Sequence, residues 1–252
     1  DNIILADTDP NYRVLDLSVN TFNDSYVSYH HKTIGGYSPV KLQRYQDLIE
    51  HHISKEMGEI AKDLQGVQTL EQALAALGNY DVLNMLNTKY IVINGNAAPL
   101  LNEGALGNAW FVNSIVKAAN ANEEIELLGN INPGLEAVVA ENFMKPEYLG
   151  EFYTPATNSR GKSYFFESDS TASIELLSYS PNKLVYKYRS STPNIALFSE
   201  VFYAPGWSAK LLPANGQAVA VSGEKAGKEL EIFRANYILR ALALPAGEGE
   251  IV

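Results

Sequence analysis

Four histidines, standing as His30-His31 and His51-His52, are the side chains of this 252-residue chain best suited to gripping a metal. Neighbouring residues on a strand point to opposite faces, and on a helix they diverge by about 100°, so neither pair alone offers two nitrogens to one ion. A site joining one histidine of each pair to Asp24 or Glu50 stays open. Asp7-Thr8-Asp9 is the second metal-like motif, of the kind that holds a metal and a nucleotide sugar in some glycosyltransferases. No nucleotide-binding βαβ unit precedes it, and as a calcium loop it has Tyr12 where the sixth-position glycine is required. A turn stabilised by aspartate side chains is the plainer expectation. Gly161-Lys162-Ser163 matches the tail of a phosphate loop, but Ala156 stands in place of the upstream glycine. Gly-x-Gly-x-x-Gly, Gly-x-Ser-x-Gly and His-Glu-x-x-His are all missing. Carboxylates such as Glu200 and Asp169 could pair in a glycosidase, yet 29 acidic residues make any such pair non-specific. The sequence therefore predicts no catalytic residue, no metal ligand and no cofactor.

Binding is better supported than catalysis. Fifteen tyrosines and two tryptophans provide flat faces for sugar rings, with core packing as the alternative use. Two glycines in Gly35-Gly36-Tyr37 free the backbone to present Tyr37 from a loop. Gly35, Gly36, Tyr37 and the nearby Arg44 are the candidate ligand-binding residues.

Around these residues the chain reads as a succession of short strands and helices. Ile3-Ile4-Leu5 and Val14-Leu15 with Leu17 are short apolar runs expected as strands. Ser38-Pro39 should cap a long amphipathic helix through Leu42, Tyr45, Ile49, Ile53, Ile60 and Leu64, with a break near Gly58. Leu70, Leu74 and Leu77 fit a second helix stopped by Gly78, and Asp81 opens a third. Tyr90–Ile93 should be a buried strand, with Trp110–Val112 and Ile115-Val116 as further strands and Asn122 capping a helix ended by Gly129. Residues 141–155 are the candidate linker. Beyond them the period becomes two: Ile174 and Leu176 pair with Leu184, Tyr186 and Tyr188 across a Ser180-Pro181-Asn182 turn. Strand-like segments follow at Ile195–Tyr203, Trp207–Leu212, Ala218–Val221, Glu229–Arg234 and Tyr237–Leu244. The expected fold class is α+β: a mixed α/β domain over residues 1–145 and an all-β sandwich over residues 146–252.

A net charge of −10 and a pI of about 4.9 repel phosphate backbones, so nucleic acid is excluded as a partner. The absence of cysteine removes disulfides and thiolate chemistry. No run approaches the roughly 20 apolar residues of a membrane span. The opening at Asp1 and the strand-like Glu250-Ile251-Val252 suggest a piece cut from a larger protein.

Several segments, in order, resemble a known family. They are Thr33-Ile34-Gly35-Gly36-Tyr37 with Leu42-Gln43-Arg44-Tyr45, Leu83-Asn84-Met85-Leu86-Asn87-Thr88-Lys89-Tyr90, and Leu106-Gly107-Asn108-Ala109-Trp110-Phe111-Val112. Tyr203-Ala204-Pro205-Gly206-Trp207, Arg234-Ala235-Asn236-Tyr237 and Pro245-Ala246-Gly247 complete the set. Together they resemble the large extracytoplasmic region of YfhO-type bacterial membrane proteins, which look like lipid-linked-sugar glycosyltransferases. The resemblance implies an address at the cell membrane on its extracytoplasmic face. It also implies the transmembrane part of the parent as partner, and a supporting role toward a glycan or lipid-linked sugar. It carries no catalytic residue onto this sequence, because the catalytic acid that the resemblance implies lies in the transmembrane part. A free-standing carbohydrate-binding or adhesive module is the alternative.

Overall fold

A computed structural model describes residues 2–145, 153–158, 160–167, 169–213 and 227–252. The fold is α+β, and the chain divides into two compact units, Asp1–Gly107 and Asn108–Val252. The division expected at 145/146 falls inside the second unit, where a strand at Ser114–Ala118 pairs with one at Gly161–Phe166. Part of the expected linker and the expected strand Ala218–Val221 lie outside the described residues.

The first unit is built on a three-stranded sheet. Strand β1 (Arg13–Asp16) runs parallel to β2 (Thr88–Val92), which pairs antiparallel with β3 (Leu100–Leu101). Five short helices accompany it: α1 (Asn2–Leu5), α2 (Gln43–Leu48), α3 (Ser54–Asp63), α4 (Leu70–Ala76) and α5 (Asp81–Met85). Residues Ile3-Ile4-Leu5, expected as a strand, form the single turn α1 instead. Only Ile4 is buried, against Val14, Tyr90 and Val92, while Ile3 and Leu5 stay exposed, a helical rather than an alternating use of the run. The long helix starts at Gln43 rather than after Pro39, since Val40 is 86% exposed and has nothing to pack against. It runs on through a wide turn at Ile49–Ile53 into α3, so the irregularity lies there and not at Gly58. Leu48, Ile53 and Ile60 form its buried stripe.

The second unit contains strands β4 (Ala109–Val112), β5 (Ser114–Ala118), β6 (Glu136–Ala140), β7 (Tyr153–Asn158), β8 (Gly161–Phe166), β9 (Ser173–Ser180), β10 (Lys183–Ser190), β11 (Asn194–Val201), β12 (Ala209–Pro213), β13 (Lys228–Leu230), β14 (Phe233–Ala235), β15 (Leu239–Leu244) and β16 (Gly247–Ile251). Helix α6 (Ala121–Leu128) lies between β5 and β6. Its cap is Asn120, whose side chain accepts from the N–H groups of Asn122 and Glu123, two residues before the cap expected from sequence. A sheet ordered β14-β15-β11-β4 and one ordered β13-β12-β16-β10-β9 enclose a core of Leu184, Tyr186, Tyr188, Phe198, Leu242 and Ile251. The expected hairpin is β9–β10, with Ser180 paired to Lys183. A further sheet, β6-β5-β8-β7, carries Gly161-Lys162-Ser163 on a strand, a context unlike that of a phosphate loop.

Each unit is locked by a buried carboxylate. Glu56 on α3 accepts the N–H groups of Val82 and Leu83, both at 2.8 Å, which caps the start of α5. Burial outweighs these bonds and pushes its carboxyl up to about 7. In the second unit Glu124, fully buried on α6, holds the Arg234 guanidinium at 2.7 Å and the Tyr237 N–H at 3.1 Å. Asn236 accepts the Val138 N–H through its side chain and donates its own N–H to the Val138 carbonyl, tying the β14–β15 turn to β6.

Two outcomes follow. The Glu56 carboxyl titrates above its usual 4.5 in the folded state, so the stability it contributes is full below that value and is lost as pH rises through about 7. Denaturant melts between pH 5 and 8 should show this loss, and Glu56→Gln should flatten it. Glu124→Gln removes the counter-charge of a buried guanidinium and should cost about 3–5 kcal/mol in the same assay.

Candidate functional site

The predicted ligand loop is anchored before it reaches its tip. Ile34 is fully buried and exchanges backbone hydrogen bonds with β1: its N–H donates to the Val14 carbonyl, and the Val14 N–H donates to the Lys32 carbonyl. Thr33 forms a parallel bridge with Val14. The chain then presses against a second loop. The Gly36 N–H donates to the Thr21 carbonyl at 2.7 Å, and Gly36 takes φ +105°, a conformation that favours glycine. A Cβ on Gly35 would sit 1.8 Å from that same carbonyl oxygen. Both glycines are therefore needed for the close approach.

Past this clamp Tyr37 is 62% exposed. Tyr26 and Tyr29, on the chain leading to the loop, are exposed at 66% and 83%. Helix α2 braces the loop through Tyr45, whose hydroxyl donates to the Ile34 carbonyl at 2.6 Å and is pushed up to about 12 by burial. Arg44, the predicted polar partner, is half-buried on the same turn of helix. The bond from the helix to the loop thus comes from its neighbour, a tyrosine the sequence reading treated as a core residue. The backbone clamp at Gly35 and Gly36 thus leads directly to the exposed Tyr37 ring.

Beside the loop lies a polar cluster. Asp7-Thr8-Asp9 is the aspartate-stabilised turn expected: the Asp7 carboxylate accepts from the Asp9 N–H at 2.9 Å, and that of Asp9 from the Asn11 N–H at 3.1 Å. The Lys89 ammonium reaches Asp7 at 2.7 Å and Asp9 at 3.2 Å, and lies over the Tyr12 ring. A built-in cation thus stands between the two carboxylates. Burial pushes Asp7 upward, but hydrogen bonds from Lys89, the Asp9 N–H and Tyr90 outweigh it and hold the carboxyl below its usual range. With His30, His31 and Lys32 the turn lines a cleft of about 220 Å³. Burial, followed by the neighbouring His30, lowers the titration of His31 below that of a free imidazole.

The other chemical candidates stay apart. The rings within the two histidine pairs are 6.3 Å and 6.4 Å apart, and among the described residues no group of three metal-ligating side chains gathers at one point. Asp169 serves its loop, accepting from the Thr171 and Ser191 N–H groups, which hold its carboxyl far below the usual range. Lys89 and Tyr90 join this cluster although nothing in the sequence marks them as site residues. Their contact with Asp7 spans some eighty positions and has no local signature.

The clamp makes a separable prediction. Gly35→Ala should cost about 3 kcal/mol by urea denaturation, at the upper end of single-substitution effects. Tyr37→Ala, which removes an exposed ring, should change stability by about 0.5 kcal/mol or less. Comparison of the chain with family models, with curated proteins and with solved structures returns no significant match.

Proposed function

We propose that this chain is a non-catalytic extracytoplasmic domain of a bacterial membrane protein, related in kind to the YfhO-type proteins its motifs resemble. In this reading it helps to position a glycan acceptor or a lipid-linked sugar donor for the transmembrane part of its parent. One observation carries the reading: Tyr37 stands exposed at the end of a loop that is immobilised by its own backbone. A loop whose backbone is ordered before binding loses little conformational freedom when a sugar stacks on the tyrosine it carries, which favours weak but specific contact. Tyr26 and Tyr29 extend the exposed aromatic surface along the preceding chain. The charge balance also fits, since a net charge of −10 suits neutral saccharides better than nucleic acid.

The test is made in the parent protein. Tyr37→Ala, with membrane insertion verified, should lower glycan transfer by about tenfold, the loss expected of an aromatic contact residue. Transfer at the wild-type rate after this substitution, and again after removal of the whole domain, would overturn the reading.

A further inference from the structure

In the five-stranded sheet of the second unit β16 is the middle strand, with β12 on one side and β10 on the other. Ile251 sits opposite both Tyr186 of β10 and Leu211 of β12. Val252 extends the ladder by one residue, donating its N–H to the Lys210 carbonyl at 2.9 Å and accepting the Lys210 N–H at 2.8 Å. The two flanking strands reach further than the ladder between them. β10 runs back to Lys183, and β12 to Ala209 with Ser208 before it. Between them opens a slot of about 230 Å³, with Lys183 and Leu184 on one wall, Ser208 and Ala209 on the other, and Val252 at its end.

The alternation of backbone groups along a strand fixes what the walls display. The backbone of Val252 is turned to β12, so that of Ile251 is turned to its partner Tyr186 on β10. Two residues before Tyr186, Leu184 therefore turns its N–H and carbonyl into the slot, and two residues before Lys210, Ser208 does the same from the other wall. The walls stand two strand spacings apart, about 10 Å, the room that one strand takes between two neighbours. Leu184 and Ala209 belong to the sandwich core, so a side chain standing between them faces inward, toward Phe198 and Leu242. Lys183 and Lys210 are their neighbours along the strands, turned to the outer face and exposed. Glu200 and Arg240, on the facing sheet, have contacts of their own, Arg240 with the Val201 carbonyl and the Trp207 ring. The two lysines are thus the charges that meet an occupant of the slot.

We infer that this slot binds an extended peptide segment of a partner polypeptide, added as a strand in line with β16 and antiparallel to both β10 and β12. Its first residue is apolar: it bonds to the Leu184 backbone and faces the core between Leu184 and Ala209. Its second residue is acidic: it bonds to the Ser208 backbone and turns its carboxylate to the outer face, beside Lys183 and diagonal to Lys210. A strand in this position is hydrogen-bonded on both sides, where one added to a sheet edge is bonded on one. A compact ligand lacks donors and acceptors at the strand period to match both walls. The site lies wholly in the second unit and stands independently of the role proposed for Tyr37.

The experiment is a titration of the full chain with the peptide acetyl-Val-Glu-Val-Thr-amide, read by NMR from the backbone N–H resonances of Leu184 and Ser208. Two further peptides carry Pro in place of the first Val, or Lys in place of Glu. The expected result is a saturable shift of both resonances at millimolar peptide, with Tyr37 unmoved. The proline peptide, which cannot donate to the Leu184 carbonyl, should bind about tenfold more weakly or worse. The lysine peptide should bind about threefold more weakly, as befits an exposed charge pair, and Lys183→Glu should reverse that preference. Absence of a saturable shift at Leu184 and Ser208 with the Val-Glu peptide overturns the assignment, and so does equal binding of the proline peptide. Self-association of the chain that protects these two N–H groups without peptide also overturns it, since the slot would then belong to a second copy.

Discussion

Buried backbone polar groups must find partners, and in this protein buried side-chain amides and carboxylates supply several of them where an element stops inside the core. Glu56 caps α5, and Glu124 takes the Tyr237 N–H together with the Arg234 guanidinium. Asn87 turns the chain at φ +54° and donates from its side chain to the Asn11 carbonyl. Asn102 donates to both Asn84 and the Thr88 carbonyl. Remove one such group and a desolvated partner is left behind, which costs more than the hydrogen bond itself was worth. Short elements that could not persist alone are held together this way, since α5 has only five residues and β14 only three.

The same constraint explains the character of the motifs. Asn87, Arg234 and Asn236 are spaced by the demands of particular turns, and each meets a partner distant in sequence. Such residues mark an architecture without marking chemistry. Tyr37 differs from them: the backbone clamp beneath it is elaborate, yet the ring itself is largely exposed.

Legibility from sequence followed the range of the interactions involved. The Gly35-Gly36 loop, the β9–β10 hairpin and the strand at Tyr90 could be read because glycine freedom, period-two alternation and β-branching are local properties. Ile3-Ile4-Leu5 could not, because a short apolar run fits a helical turn as well as a strand until its packing partner is known. The unit division was also out of reach. A proline-bearing stretch marked residues 141–155, whereas the pairing of β5 with β8 draws the chain on both sides of it into one unit. At the site, Tyr45 and Lys89 were missed for the same reason, since what they touch is decided by tertiary contact.

The proposed role of the clamped loop is to present Tyr37 to a sugar. The most direct measurement is to titrate cell-envelope glycan fragments into the chain and map the perturbed resonances by NMR. Saturable changes centred on Gly35, Gly36 and Tyr37 and reaching Tyr26 and Tyr29 are the expected result. Saturable binding that leaves all five of these residues unperturbed would contradict it.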